Sequence, residues 1–179
     1  GEIASPAKGF YVIVPPEYQT LGCLPAEYFI PYLLDYWQCA YYVGLLSAAQ
    51  YHGATHQAVQ VFQIIIEGRS RKPIVCGKVK INFIANRNLH KTPTQTFSTA
   101  KSLLTLSTPE GTAMDLMNYS HQAGGMNHIA TVLSELAEKI QPDKLRLLIE
   151  TDVALEWKQR LGYLFEILEE PDLVTIIKE

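Results

Sequence analysis

The chain has no run of eighteen consecutive apolar residues, so nothing in it reads as a membrane-spanning helix. Its first residues, GEIASPAKG, contain neither an initiator Met nor the apolar stretch of a secretory signal. Cysteine is scarce: Cys23, Cys39 and Cys76 form no CxxC pair and are odd in number, which argues against a disulfide framework or a thiolate metal site. They read as small buried hydrophobes of a reducing cytoplasm. Internal repeats, low-complexity tracts, the G-x-G-x-x-G pattern and the Walker pattern are all missing. The most informative absence is of acidic residues between Glu67 and Glu110. A metal-dependent nuclease needs two or three carboxylates on adjacent strands, and this stretch is where the strands read.

What is present is enough for a folded domain: 179 residues, 47% of them apolar. The net charge of −3 hides a split along the chain. Residues 68–109 carry eight Lys or Arg and no acid. Residues 110–179 carry six against thirteen, and residues 1–67 carry Lys8 against five. A basic face and an acidic face are expected.

Local patterns give a mixed α/β succession. FYVIV (10–14) reads as a strand ending at Pro15-Pro16, after a turn over residues 5–9, with its partner strand expected upstream of the chain. Residues 25–37 read as a helix that either starts near Pro31 or kinks there. Residues 42–52 read as a second helix, closed by Gly53 in a left-handed cap. Val59–Ile66, Lys78–Ile84, Thr94–Phe97 and Leu103–Ser107 read as strands of a mostly antiparallel sheet, with residues 67–73 and 99–102 as turns. Thr108-Pro109-Glu110 has the signals of a helix start. Three amphipathic helices follow, the last from about Asp152 to Glu169 with Val153 on its apolar stripe and Pro171 as its end. The fold class expected is α/β of the α+β type: a sheet flanked by helices with a C-terminal helical layer.

Few groups suggest chemistry. His52 and His56 stand four apart in HGATH, but a zinc protease would keep them on one helix with a Glu between, and Gly53 stands there. Ser47 lies in GLLSAA and not in a nucleophile elbow. Gly124-Gly125 before a helix could bind an anion or simply turn the chain. No catalytic, metal-binding or cofactor-binding residue is assigned. The basic stretch carries the most physical weight. Lys78 and Lys80 alternate with Val79, Ile81 and Phe83, and Arg69, Arg71 and Lys72 occupy the preceding turn. With Lys8 and Arg87 they could meet nucleic-acid phosphates or an acidic protein surface, or form a solvated face offset by the acidic helices; no interleaved aromatic stacking set is expected on that face.

The segments GFYVIVPPEY (9–18), LPAEYFIPYLL (24–34), YYVGLLSAAQYHGATHQAVQVFQIII (41–66), STPEGTAMDLMNY (107–119) and AGGMNHIATVLSELAE (123–138) resemble the AbiEi family. The two most specific pieces are GLLSAAQYHG (44–53) and STPEGTAMDL (107–116). The resemblance implies a cytoplasmic antitoxin and transcriptional autoregulator of a bacterial type IV toxin–antitoxin, or abortive-infection, system. It implies an N-terminal winged helix-turn-helix on promoter DNA and a C-terminal domain opposing a nucleotidyltransferase-like toxin without a stable complex. Residues 1–14 would be the remnant wing strand and linker, and residues 15–179 the antitoxin domain without its DNA-reading helix or any enzymatic activity. A metal-dependent hydrolase or nuclease using His52, His56 or a loop acid is the contrasting reading. A third is a protein-interaction module presenting Glu135, Glu138 and Glu156 to a basic partner.

Overall fold

The computed structural model describes residues 2–55 and 58–178, which form two compact units. The first takes the described parts of residues 1–43, 59–89 and 95–106, and the second those of 44–58, 90–94 and 107–179. The charge split follows this division. The first unit carries eight Lys or Arg against five Asp or Glu, the second seven against thirteen.

The first unit opens with a hairpin of β1 (Glu2–Ala7) and β2 (Phe10–Val14), in antiparallel register with Ile3 opposite Ile13. The partner of the FYVIV strand is therefore inside the chain, and the turn is narrower than residues 5–9. Lys8 and Gly9 make it, with Gly9 at φ +78°. Ser5 and Pro6 lie in β1, which is paired on one side only, where a proline's missing N–H leaves no ladder bond unmade. Helix α1 (Ala26–Tyr36) passes straight through Pro31. Proline cannot donate to the carbonyl four residues back, which is that of Glu27. The Ser102 hydroxyl donates to that carbonyl at 2.6 Å, so the bond that Pro31 deletes is replaced from another part of the unit.

A mixed sheet runs in the order β5 (Ile74–Cys76), β6 (Val79–Asn86), β4 (Phe62–Glu67), β3 (Tyr41–Val43), β8 (Leu103–Ser107), β7 (Thr94–Ser98). The α/β class and the flanking helices are as expected. The β3–β4 and β5–β6 pairs are antiparallel, whereas β4–β6 and β3–β8 are parallel. Ile64, Ile65 and Ile66 of β4 are buried on both faces, as a central strand requires. Tyr41–Val43 is a strand and not the first turn of the helix expected over residues 42–52. Its pairing between β4 and β8 outweighs the helical spacing of its side chains. Helix α1 presents Phe29, Ile30, Leu33 and Leu34 to Ile64, Ile66, Ile81 and Phe83, and Val12 of the hairpin closes the same core. Each such side chain contributes about 1.5–3 kcal/mol by leaving water.

The second unit is helical. It comprises α2 (Leu45–Tyr51), α3 (Pro109–Asn118), α4 (Met126–Leu136), α5 (Pro142–Thr151), α6 (Glu156–Ile167) and α7 (Pro171–Lys178). Gly53, at φ +73°, ends α2 as expected. Thr108 caps α3 by accepting the Gly111 N–H at 3.2 Å. Every residue of α3 from Glu110 to Met117 is buried, because α2, α4, α5 and α6 all pack on it. Two expectations fail at the C-terminus. Val153 is 85% exposed in the link before α6, where Asp152 ties the backbone and delays the helix. Helix α6 already stops at Ile167, with Glu169 at φ +59°, and Pro171 instead opens α7, a position that suits its fixed φ and missing N–H.

Candidate functional site

The basic residues singled out in the sequence all belong to the first unit, but they do not share one face. Ile74 and Cys76 of β5 and Ile81 and Phe83 of β6 point to the α1 side, so Lys80, paired with Val75, points to the other. Lys78 leads into β6, its backbone N–H bound to the Leu21 carbonyl at 2.7 Å. Arg87 lies in the loop after β6 and Lys8 at the tip of the β1–β2 hairpin. Arg69, Arg71 and Lys72 occupy the loop between β4 and β5. Among the described residues, Lys8, Arg69, Lys72, Lys78, Lys80 and Arg87 form no ion pair, so their charge faces solvent.

Arg71 is different. Its guanidinium carbon lies 4.2 Å from the centroid of Trp37, at the end of α1, and Trp37 packs in turn on Phe83 at 5.7 Å. The preceding residue, Tyr36, rests on Phe10 with ring centroids 5.9 Å apart and has its hydroxyl over Gly9. The hairpin tip and the basic loop thus meet two neighbouring aromatic residues, Tyr36 as the last of α1 and Trp37 as its C-cap. The basic stretch does have an aromatic set beside it. It comes from about thirty-five residues upstream, outside the stretch itself.

The two most specific family-like stretches come together in the second unit. His52 sits at the end of α2, and its Nε2 donates to the Ser107 carbonyl at 2.8 Å. A carbonyl can only accept, so Nε2 carries a proton. Burial holds its pKa below the ordinary imidazole value, partly offset by the Ser107 bond and by Glu110. The Ser107 and Thr112 hydroxyls are 2.7 Å apart and fully buried. The Glu110 Oε1 accepts the Gln141 N–H at 2.7 Å. That carboxylate serves two helices, lying in the first turn of α3 and capping the start of α5. Its Oε2 has no hydrogen-bond partner among the described residues. Thr92 reaches Asp115 at 3.5 Å. Ahead of these, Leu45 is fully buried at φ +53° just after Gly44, a strained backbone held by packing.

His56 lies outside the described residues, so the HGATH pair is not completed here. Gly124 and Gly125, at φ +80° and +85°, turn the chain into α4, where no side chain caps the first turn. Glu135 and Glu138 lie at the end of α4 and just past it, and Glu156 at the first residue of α6. Among the described residues no group of three or more His, Cys, Asp or Glu could hold a metal ion, and no helix is long and apolar enough to cross a membrane.

A family profile described as the AbiEi antitoxin C-terminal domain matches residues 42–167, from β3 to the end of α6. This chain belongs to the AbiEi antitoxin family. The groups of the polar network just described, and both of the stretches that meet in it, lie inside the matched region. No curated protein matches the chain. Two solved structures share its fold. The RV2827C protein from Mycobacterium tuberculosis is 17% identical with a TM-score of 0.65, covering 98% of this chain and 64% of that one. An antigenic nucleotidyltransferase-like protein from Paracoccidioides brasiliensis is 10% identical with a TM-score of 0.52, covering 86% of this chain and 90% of that one. The AbiEi chain described here therefore spans less than two thirds of the mycobacterial protein's length.

Proposed function

We propose that this AbiEi chain is the antitoxicity-bearing part of a bacterial type IV antitoxin, cytoplasmic and without enzymatic activity. It opposes a nucleotidyltransferase-like toxin without a stable complex. One observation carries the reading. The two stretches most like the family, GLLSAAQYHG and STPEGTAMDL, converge on a buried network whose groups hydrogen-bond one another. Such a network specifies a fold and leaves recognition to the surface.

In the same reading residues 1–14 are the wing remnant and linker, and residues 15–179 the antitoxin domain. The full-length protein holds its own promoter through a winged helix-turn-helix. Lys8, Arg69, Arg71, Lys72, Lys78, Lys80 and Arg87 then supply sequence-independent phosphate contacts. Neutralising Arg69, Arg71, Lys72, Lys78 and Lys80 together in that protein should weaken promoter binding. It should also flatten the salt dependence by about 0.9 for each phosphate no longer neutralised. Unchanged affinity and slope would mean that these side chains do not touch the DNA.

The direct test is growth rescue. The fragment is co-expressed with the toxin encoded beside its gene, and rescue is expected. A folded, soluble fragment that fails while the full-length protein rescues would place antitoxicity outside it. Failure of both would overturn the functional reading.

The shared fold with a nucleotidyltransferase-like protein favours a second reading, an enzyme of that class. The acid-free strands between Glu67 and Glu110 weigh against it, since two-metal phosphoryl chemistry needs carboxylates there. Magnesium-dependent incorporation of labelled nucleotide by the purified chain would support that reading over ours.

A further inference from the structure

We infer that the end of the first unit formed by α1, the Lys8-Gly9 turn and the 68–73 loop binds an unpaired nucleic-acid strand. This goes beyond phosphate contacts on duplex promoter DNA and does not depend on them. Unpaired strands are held by two features together: a cationic track for the backbone and flat side chains on which splayed bases stack. A duplex hides its base faces and can use only the first.

Both features are present here. Tyr32 and Tyr36 are one helical turn apart on α1, so they stand side by side, 59% and 57% exposed. Both are therefore wet aromatic faces on a rigid helix. Trp37 follows, with the Arg71 guanidinium 4.2 Å from its centroid. Arg71 forms no ion pair among the described residues, so the ring positions its donors without consuming them. A guanidinium held this way can stack a base on its outer side and donate to a phosphate from its edge. Lys8 stands at the hairpin tip beside Tyr36, through the contact of the Tyr36 hydroxyl with Gly9. Arg69 and Lys72 flank Arg71 in the loop. Two carboxylates share this end, Asp35 in the last turn of α1 and Glu67 at the end of β4. Against them stand the four cations Lys8, Arg69, Arg71 and Lys72, so the local balance stays positive. Arg71 lies on Trp37, Lys8 adjoins the Gly9 that Tyr36 reaches, and Arg69 and Lys72 are loop neighbours of Arg71, a pairing of charge and flat faces that a strand with stacked bases needs.

The experiment uses the whole 179-residue chain. Fluorescence anisotropy is measured with labelled oligo(dT) and oligo(U) of about 15 nucleotides and with a random duplex of similar length, at about 50 mM and about 200 mM salt. Both unpaired probes should bind at least ~5-fold tighter than the duplex, the weakest gain expected of a single stacked base. Tyr32→Ala and Tyr36→Ala should each weaken the unpaired probes by at least ~5-fold while leaving any duplex binding unchanged, and Tyr36→Phe should bind as the parent does. Arg71→Gln should weaken the unpaired probes, and binding should quench Trp37, since Trp157 is buried. A difference between oligo(U) and oligo(dT) tells RNA from single-stranded DNA within the same proposal. Duplex bound as tightly as the unpaired probes would overturn it in favour of phosphate contacts alone. No binding at low salt would overturn it in favour of a solvated surface. Should Tyr36→Ala fail to fold, Tyr32→Ala and Arg71→Gln carry the test, and parental affinity in both would overturn it.

Discussion

Replacing Ser102 with Ala removes the hydroxyl that donates to the Glu27 carbonyl, the one group that Pro31 leaves without its helical partner. An ordinary hydrogen bond contributes about 1 kcal/mol, and an acceptor left unmet costs more when water cannot reach it. This bond is partly buried, which sets the expected loss at about 1–2 kcal/mol. For a chain of this size that is a drop of about 2–8 °C in Tm. The reasoning is tested by a cycle. Pro31→Ala restores an N–H four residues after Glu27, so the helix can satisfy its own carbonyl. In that background Ser102→Ala should cost only the hydroxyl's bond with Thr99, which spans 2.9 Å and is half exposed to water. The coupling between the two sites should therefore be about 1 kcal/mol, read from urea and thermal denaturation of the four proteins. A Ser102→Ala loss equal in both backgrounds, within about 0.3–0.5 kcal/mol, would refute the replacement of the deleted bond.

Other outcomes follow from buried titratable groups. His52 has a lowered pKa, so below its ordinary value of 6.5 the unfolded chain takes up a proton that the folded chain refuses. Stability should fall as the pH drops from 7.5 to 5.5, and His52→Gln, about 1 kcal/mol less stable at neutral pH, should flatten that dependence in denaturant melts. Asp152 is lowered in spite of its burial, which alone would raise it, by the Ala154 N–H, the Trp157 indole, Lys91 and Lys158. Its stabilisation is present above pH 3.8 and lost as the pH falls through its folded value. Asp152→Asn turns an acceptor into a donor against Ala154 or against the Trp157 Nε1 at 2.9 Å, and should cost about 2–3 kcal/mol, measured by urea denaturation at pH 7. Burial first, and then its neighbour Cys76, pushes the Cys23 thiol up to about 12. A thiol reagent at pH 7.5 should leave Cys23 unmodified in the folded protein and label it fully in guanidinium; rapid labelling under native conditions would contradict the packing.

Much of the chain announces itself locally. The Thr108-Pro109-Glu110 start of α3 was legible because a cap, a fixed φ and a charge at a helix end act over one turn. Lys78–Phe83 was legible because alternation is a property of the strand itself. The pairing of Tyr41–Val43 was not, because three residues with helical spacing become a strand only when β4 and β8 lie on either side. Helix α7 was missed because Pro171 is as good a first residue as it is a terminator. The candidate site divides in the same way. Its cations are countable in the sequence, but Trp37 and Tyr36 lie far upstream, and which cations share their side depends on how β5 and β6 pair.

By itself, then, the sequence determined the α/β class, the register of charge along the chain and the family, because each rests on short-range pattern or on the identity of residues in order. Tertiary structure alone decided which residues meet. It set His52 against Ser107 across 55 positions, put Ser102 on the carbonyl that Pro31 leaves open, and laid Arg71 on Trp37. The physical reason is that a buried polar group must find a partner wherever the fold brings one, and no local pattern says where that will be.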